Sequence, residues 1–327
     1  MTAPTVSVVL NCYNHEAYVA EAIESVLAQT FAEFELIVID NGSTDGSRKI
    51  IQAFDDPRIR LLLNDDNQSI SKRLNQGVAA ARGEYVSILY SDDYFLPDKL
   101  ARQVAIFSML DPDYGVVYCP ALALNQRTGQ QWQHPSFGLS GQILAEMMER
   151  HFQGPIDMSS PLVRRECYLR YPFIEEVFAE GEAILFRIAM RYRFHFDPVP
   201  LMVLRDHGGN MGKAVRQNHE MMMVSLETLE HHPDFPAACR DRLRDFRAEI
   251  FRNHAWLLLR MGDGDSGWLR ERLRASIRLR PAQLLHPRMW ASLTLASLPL
   301  GWRNVVNRTA NRLRPKPENR DLVESYR

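Results

Sequence analysis

Two adjacent carboxylates, Asp92 and Asp93, directly follow an apolar segment at residues 85–89. The apolar run predicts a buried strand, and Pro97 shortly afterwards favours a helix start. In open α/β sheets, ligands bind at the carboxyl ends of the strands. Neighbouring carboxylates repel each other, so a divalent cation such as Mg²⁺ or Mn²⁺, carrying a diphosphate, would offset the repulsion. The alternative is a simple helix cap, because Asp often precedes a helix.

The composition indicates a globular protein with an uneven charge distribution. The chain has 327 residues, of which 46% are hydrophobic and 24% charged, enough for one large or two modest domains. Residues 239–327 contain 19 Lys and Arg against 9 Asp and Glu, whereas the first 238 contain 20 and 31. This asymmetry predicts an acidic catalytic body and a basic C-terminal region that meets an anionic partner.

Several function classes are disfavoured by the motifs. Four scattered cysteines without a Cys-x-x-Cys pair argue against a zinc site and favour reduced thiols in a cytosolic protein. The sequence has no Gly-x-Gly-x-x-Gly and no P-loop, which disfavours nicotinamide enzymes and P-loop kinases. The N-terminal apolar run reads as a strand rather than a signal peptide, and no segment is apolar enough to span a bilayer. We expect no nucleic-acid partner.

Strands and helices are predicted to alternate in the first 120 residues. Apolar runs predict strands at residues 6–10, 34–40, 59–63, 85–89 and 114–120, and amphipathic patterns predict helices at 16–29, 48–54 and 69–81. This alternation predicts βαβ units and a parallel sheet. Further along, we predict a hairpin at 125–133, a helix at 139–150, a helix ending at Arg191, and only helices beyond residue 212.

Six segments resemble the family 2 glycosyltransferases, which have the GT-A fold. They are residues 11–14, 22–30, 38–45, 75–77, 81–85 and 91–93, and they occur in the family's order. The resemblance is strong over about residues 4–125 and looser over 155–210. It implies a Rossmann-like α/β domain at 1–210, with a nucleotide-sugar half to about 125 and an acceptor half at 126–210. A helical region at 211–314 and a disordered tail at 315–327 would follow.

The resemblance implies a nucleotide site built from the first four strands. Tyr13 would pack against the base, Asp40 and Asn41 would read its edge, and Asp92 would lie beside the ribose. Asn41 replaces a carboxylate of the family pattern, so uridine is favoured while thymidine and guanosine stay open. Lys72 or Arg73 could substitute for a helix arginine of relatives, although solvated helix charges are the preferred alternative. The implied nucleotide-binding set is Asn11, Tyr13, Asp40, Asn41, Arg73 and Asp92.

The resemblance also implies a metal site and a catalytic base. Asp93 would bind Mg²⁺ or Mn²⁺, and His207 would contact the metal or the diphosphate. An inverting transfer needs one base to deprotonate the acceptor hydroxyl. The expected position falls on Gly181, so we favour its neighbour Glu182 and keep Glu180 as the second candidate. Two acidic residues that merely favour a helix start are the alternative.

The resemblance therefore predicts an inverting transferase that moves a sugar from a nucleoside diphosphate sugar, with UDP-sugars favoured, to a glycan or lipid-linked saccharide. Bacterial surface polysaccharide assembly, such as capsule or lipopolysaccharide, is the implied setting. A catalytically weak nucleotide-sugar-binding or scaffold protein is the runner-up, and a nucleotidyltransferase is a third reading. The Trp- and Arg-rich C-terminal helices are predicted to bind an anionic membrane surface on the cytoplasmic side. The alternative is that they pack on the domain or on a second subunit.

Overall fold

The computed structural model describes residues 3–210, 214–262 and 265–313, with side chains as far as residue 310. The chain divides into two compact units, Met1–His207 and Gly208–Arg327, which are described separately. The predicted disordered tail at 315–327 lies outside the described residues.

Unit 1 is a mixed α/β unit with eleven strands and seven helices among the described residues. The strands are β1 (Val6–Cys12), β2 (Phe34–Asn41), β3 (Ile59–Asn64), β4 (Tyr85–Tyr90), β5 (Tyr94–Phe95), β6 (Tyr114–Tyr118), β7 (Leu122–Asn125), β8 (Gln131–Gln133), β9 (Leu162–Arg164), β10 (Arg193–Phe196) and β11 (Met202–Asp206). The helices are α1 (Val19–Leu27), α2 (Ser47–Gln52), α3 (Ile70–Ala80), α4 (Lys99–Phe107), α5 (Leu144–Arg150), α6 (Arg165–Arg170) and α7 (Ala183–Ile188).

The main sheet is predominantly parallel, as the alternating pattern predicted. Its seven strands run in the order β10-β6-β9-β4-β1-β2-β3, and only β9 is antiparallel to its neighbours β4 and β6. β1 lies between β2 and β4, both parallel to it. The chain leaves β1 toward β2 on one side and continues from β4 on the other, so β1 and β4 border a topological switch point, where α/β sheets bind ligands.

The register brings the polar strand ends together at this point. Cys12 lies opposite Asp40, and Asn11 lies opposite Tyr90, which immediately precedes the acidic pair. Every residue of β1 and β2 is buried, so these strands form a rigid platform. The ends of three adjacent strands therefore converge on one edge of the sheet.

A second, four-stranded sheet connects the acidic pair to distant parts of the chain. Its order is β5-β11-β7-β8, with β5 antiparallel to β11. β5 begins one residue after Asp93, and β11 ends one residue before His207. The pairing therefore brings His207 beside the acidic pair. The predicted hairpin at 125–133 is confirmed as the antiparallel pair β7 and β8.

Several predicted helix bounds were wrong for local reasons. The helix predicted at 139–150 begins only at Leu144, because Gly141 has φ +103° and its N–H donates to the carbonyl of Phe194. The helix predicted from residue 16 begins at Val19, because the N–H groups of residues 14–16 donate to the loop after β2 and to the start of α2. α3 agrees within one residue at each end, and Ser69 caps it by accepting the N–H of Lys72.

Unit 2 is helical over its described residues. Its helices are α8 (Val215–His231), α9 (Arg240–Met261), α10 (Ser266–Leu279), α11 (Pro287–Ser297) and α12 (Leu300–Leu313). An apolar cluster of α9, α10 and α11 side chains, among them Leu258, Leu273 and Met289, forms its core. None of the helices in the described ranges combines the length and apolarity needed to cross a bilayer.

Candidate functional site

The acidic pair lies in a hydrogen-bonded environment built by three segments. Nε2 of His207 lies 3.1 Å from Oδ2 of Asp92. Asp93 is buried, and its Oδ1 accepts the backbone N–H of Arg205 at 3.1 Å while its Oδ2 lies 3.4 Å from the hydroxyl of Ser159. The two neighbouring carboxylates thus face different partners, one an imidazole and the other two neutral donors.

The two carboxyl groups have opposite pKa shifts. Burial alone would raise the pKa of Asp92, but the hydrogen bond from His207 and the charges of His15 and His207 lower it overall. Burial raises the pKa of Asp93 well above its usual value, and the negative charge of Asp92 raises it further. Asp93 therefore lacks a nearby positive charge sufficient to offset its burial, which is the electrostatic environment in which a bound cation is most stabilising.

An aromatic cluster surrounds His207. The rings of Tyr18 and His207 stack with centroids 5.0 Å apart, and His15 lies edge-on to His207 at 6.1 Å. Nδ1 of His15 lies 2.8 Å from the hydroxyl of Ser91. These contacts fix the imidazole of His207 beside Asp92.

The turn after β1 is joined to the loop after β2. Asn14 has φ +52°, a left-handed conformation that Asn tolerates well, and its Oδ1 accepts the N–H of Thr44 at 2.8 Å. Tyr13 is 37% exposed at this turn, so its ring is available to a ligand. Asn11 is buried, and its Oδ1 has no hydrogen-bond partner within the described ranges.

Asp40 is fully buried at the end of β2 and paired with Arg48. Nε of Arg48 donates to Oδ2 of Asp40 at 2.7 Å, and the N–H of Ser43 donates to Oδ1 at 3.3 Å. Its carboxylate therefore already has a cationic partner on one oxygen.

Asn41 and Arg73 organise the loop that precedes α3. Nε of Arg73 donates to Oδ1 of Asn41 at 2.7 Å, and the other guanidinium nitrogens donate to Asn64 and Asp66. The Asn41 amide donates to Asn67 Oδ1 at 3.0 Å. The preferred expectation that Arg73 is a solvated charge was wrong, because its side chain is buried, although Lys72 beside it is exposed.

The two candidate bases have different surroundings. Glu180 is buried in an ion pair with Arg187, whose Nη2 lies 2.7 and 2.6 Å from the two carboxylate oxygens, and it also accepts the N–H of Ile174. Glu182 has no guanidinium partner among the described residues; its Oε1 lies 3.4 Å from Nε2 of His151. Burial raises the pKa of Glu182 to about 8, with the charge of Asp157 adding to this and His134 opposing it.

Asp157 links the acidic pair to Glu182. Its charge raises the pKa of both Asp93 and Glu182, so it lies close to both. Oδ2 of Asp157 lies 3.0 Å from Nδ1 of His134. Burial opposes protonation of His134, but the Asp157 carboxylate outweighs it and raises the histidine pKa.

Sequence reasoning missed several of these residues. Asp157 lies in the range 155–210, over which the resemblance is looser, so that range carried a usable signal. His15, Tyr18 and His134 had none, since each is an isolated residue whose role depends on long-range contacts.

The donor set fits a hard divalent cation assisted by a ligand. The carboxylate oxygens of the acidic pair are the ligands that Mg²⁺ and Mn²⁺ prefer, whereas the imidazole of His207 is a secondary ligand for such ions. Within residues 3–210, 214–262 and 265–313, however, no group of three or more His, Cys, Asp or Glu side chains is arranged to hold a metal ion. A cation at Asp93 would therefore need further oxygens from a diphosphate or from water.

Comparison with known proteins identifies the family. The model for Glycosyl transferase family 2 matches residues 7–171, slightly more than half of the chain. The chain belongs to this family. Among the curated relatives of this glycosyltransferase family 2 member, the succinoglycan biosynthesis protein ExoO of Rhizobium meliloti is 30% identical over 190 residues, 58% of this chain and 52% of ExoO. The chain spans between about a third and about half of the length of these curated relatives.

Solved structures of similar fold extend over nearly the whole chain. S. aureus TarS 1-349 in complex with UDP-GlcNAc has a TM-score of 0.64 at 17% identity, covering 96% of this chain and 93% of TarS. The mannosyltransferase PcManGT of Pyrobaculum calidifontis, in complex with GDP-Man and Mn²⁺, has a TM-score of 0.59 at 19% identity, covering 94% of this chain and 88% of PcManGT. At these identities the likeness concerns the fold alone, and it confirms the predicted α/β fold of the GT-A type with a helical C-terminal region.

Proposed function

We propose that this family 2 member is an inverting glycosyltransferase that uses a nucleoside diphosphate sugar. The observation that carries the proposal is the Asp92–Asp93 pair at the switch point of the sheet, with His207 beside it. A UDP-sugar is the favoured donor. Support comes from TarS, whose structure contains UDP-GlcNAc, while the GDP-Man of PcManGT keeps a guanosine donor open.

The nucleotide would bind across the ends of β1, β2 and β4. Tyr13 offers an exposed ring for the base, Asn11 offers an unused acceptor, and Asp40 retains lone pairs on a buried carboxylate. Asn41 and Arg73 would act by holding the adjoining loop, since their polar groups already bond to each other. Asp92 would contact the ribose.

Asp93 and His207 would hold the divalent cation together with diphosphate oxygens. Such a cation neutralises negative charge that develops on a leaving diphosphate. The PcManGT structure, which contains Mn²⁺, supports this assignment. Asp93 is buried and its pKa is raised, so a bound cation would offset the cost of burying its negative charge.

Glu182 would act as the base of the transfer. The acceptor hydroxyl oxygen attacks the anomeric carbon while its proton passes to the Glu182 carboxylate, and the bond from that carbon to the diphosphate oxygen breaks. Attack opposite the leaving group inverts the anomeric configuration. Glu180 is a weaker candidate, because Arg187 and the N–H of Ile174 occupy its oxygens.

A thermal-shift panel of nucleoside diphosphate sugars with Mn²⁺, followed by hydrolysis assays, tests the proposal. A donor should raise the melting temperature and be turned over slowly to nucleoside diphosphate. Binding without any turnover would favour the second candidate, a catalytically weak sugar-nucleotide-binding or scaffold protein. Absence of binding by every donor would contradict both. The acceptor we propose is a glycan or lipid-linked saccharide of polysaccharide assembly, supported by the relative named for succinoglycan biosynthesis.

For the helical unit we propose attachment to an anionic membrane surface on the cytoplasmic side. Trp302, Val305 and Val306 lie on one exposed face of α12, with Trp302 66% exposed, and Trp290 is 58% exposed on α11. Exposed Trp and aliphatic side chains in a region with a large excess of Arg suit the interface of an anionic bilayer. A second copy of the chain is the alternative occupant.

Flotation with phosphatidylglycerol-containing vesicles tests this attachment. We expect binding that weakens in high salt and falls in the double variant Trp302→Ser and Val306→Ser. Met109→Ser, which removes an exposed apolar side chain of unit 1, is the matched control. Unchanged flotation of the double variant would contradict the proposal, and a dimer that it disrupts in solution would favour the second copy.

A further inference from the structure

A short edge strand carries polar and aromatic groups near Glu182. β8 pairs only with β7 among the described strands and forms the end of the second sheet. Trp132 lies opposite Ala123 in this pair. Trp132 and His134 are two residues apart in extended chain and so point to the same face, whereas Gln131 and Gln133 expose the other.

Two hydrogen-bonding groups in this segment are buried but unused. Nε1 of Trp132 and the hydroxyl of Ser136 have no hydrogen-bond partner anywhere in the described part of the chain. A buried donor without a partner costs roughly 1–3 kcal/mol, so such groups are normally satisfied by water or a ligand. Both flank His134, whose ring faces Asp157.

The segment is fixed against residues 154–157. The N–H of Phe137 donates to the carbonyl of Gly154 at 3.2 Å. Gly154 has φ +149°, and a Cβ at that position would lie 2.5 Å from the carbonyl carbon of Pro135. This close approach requires glycine, and it holds His134 at its 3.0 Å distance from Asp157. The segment that carries Trp132, His134 and Ser136 is therefore held in a fixed position beside Asp157.

We propose that Trp132, His134, Ser136 and Asp157 form the subsite that binds the acceptor sugar, an inference that rests on the proposed transfer reaction. An indole presents an apolar face to the C–H groups of a sugar ring and an N–H to a hydroxyl. The Ser136 hydroxyl can both donate and accept a hydrogen bond, and the Asp157 carboxylate of the His134–Asp157 pair adds a charged acceptor. This combination suits a neutral hexose or N-acetylhexosamine better than an anionic sugar, because the Asp157 carboxylate would repel a second carboxylate.

The location of Asp157 favours the acceptor over the donor. Ser159, two residues after Asp157 in the chain, lies 3.4 Å from Asp93, and the charge of Asp157 acts on both Asp93 and Glu182. Asp157 therefore lies near the proposed diphosphate-binding carboxylate and near the proposed base. A sugar held there would present a hydroxyl to Glu182. The nucleotide-binding residues at the ends of β1 and β2 are not part of this group.

Saturation-transfer NMR on the full chain tests the subsite. The probes are methyl glycosides of glucose, galactose, mannose and N-acetylglucosamine, each added to protein with UDP or GDP and Mn²⁺. We expect at least one glycoside to bind the wild type, and its affinity to fall about ten-fold or more in Trp132→Ala and in Asp157→Asn. Gln133→Ala, on the opposite face of the same strand, should bind as the wild type does.

Nucleotide binding and glycoside binding are measured separately, so the proposed function and the proposed subsite can fail independently. Calorimetry with UDP and GDP reports on the donor site. If the wild type binds neither nucleotide, the proposed function is contradicted, whether or not a glycoside binds. The subsite is overturned if a nucleotide-binding wild type binds none of the four glycosides, or if Trp132→Ala and Gln133→Ala bind them equally. Should Trp132→Ala fail to fold, Trp132→Phe keeps an aromatic ring and removes the N–H. Unchanged glycoside affinity in that variant together with Asp157→Asn would overturn the assignment.

Discussion

The backbone N–H of Arg205 donates to Oδ1 of Asp93 over 3.1 Å, although the two residues are 112 positions apart in the chain. This bond joins the end of β11 to the start of β5 and fixes the carboxylate that we assign to the cation. The same junction carries His207 to within 3.1 Å of Asp92. The geometry of the acidic pair therefore depends on the second sheet as much as on β4.

Glu182→Gln is predicted to abolish transfer while nucleotide binding persists. The amide keeps the size of the side chain but cannot take up the proton of the sugar acceptor's hydroxyl, so kcat should fall by about 10²- to 10⁴-fold. Calorimetry with the nucleoside diphosphate and Mn²⁺ should give an affinity close to that of the wild type. Full activity of this variant would reject the assignment of the base.

Glu180→Gln is predicted to lower stability rather than act on chemistry directly. It would leave the buried guanidinium of Arg187 without its anionic partner, and breaking a buried ion pair costs about 3–5 kcal/mol. Urea unfolding of this variant, compared with Glu182→Gln, measures the difference. A Glu180→Gln protein of wild-type stability that has lost all turnover would instead make Glu180 the base.

The rate of transfer should rise with pH up to about 8. Burial raises the pKa of Glu182 to about 8 with help from the charge of Asp157, so the carboxyl is mostly protonated, and inactive as a base, below that pH. The logarithm of kcat/KM should therefore climb with unit slope and level off above about pH 8. Asp157→Asn removes a negative neighbour and should move this rise to lower pH; a profile that is flat from pH 6 to 9 would contradict the account.

Arg73→Ala is predicted to loosen the loop before α3. The change would remove hydrogen bonds to Asn41, Asn64 and Asp66, and a hydrogen bond from a charged donor contributes roughly 1.5–3 kcal/mol. Thermal unfolding and nucleotide affinity should both decline. Lys72→Ala, at the exposed neighbouring position, is the control and should change neither; equal effects of the two variants would argue against the structural role of Arg73.

A buried histidine pair in unit 2 predicts acid sensitivity. Burial lowers the pKa of His219 to about 3 and that of His254 to about 4, with their mutual proximity adding to the shift of His219. In the folded protein both pKa values lie below the ordinary histidine value of 6.5. The contribution of the neutral pair to folding stability is therefore complete above pH 6.5 and is lost as pH falls toward 4. Each histidine should contribute a slope of about 1.4 kcal/mol per pH unit to the unfolding free energy. Replacing both by Asn should flatten the slope, whereas replacing exposed His231 should not.

The parts that sequence could predict are those encoded in local patterns. The buried runs of β1, β2 and β4 and the amphipathic faces of α1 and α3 have clear periodicity, so the parallel sheet and its polar strand ends followed from them. The position of Asp92 and Asp93 at a strand end followed in the same way, and the six matching segments supported the family and the fold.

The remaining features depend on long-range pairing. β5 has two residues and β9 three, too few for any periodic signal, yet β5 pairs with β11 and so decides where His207 lies. The burial of Arg73 and the Glu180–Arg187 ion pair were likewise invisible, because charged residues on a helix are usually solvated and only packing against distant segments buries them.

Titration calorimetry of UDP and GDP against wild type and Asp93→Ala, with Mn²⁺ and with excess chelator, tests the central claim most directly. We predict that at least one of the two nucleotides binds the wild type with Mn²⁺, and that its affinity falls at least ten-fold on chelation or on loss of the Asp93 carboxylate, with no further effect when the two are combined. Equal affinity under all four conditions would contradict a cation that joins Asp93 to the diphosphate.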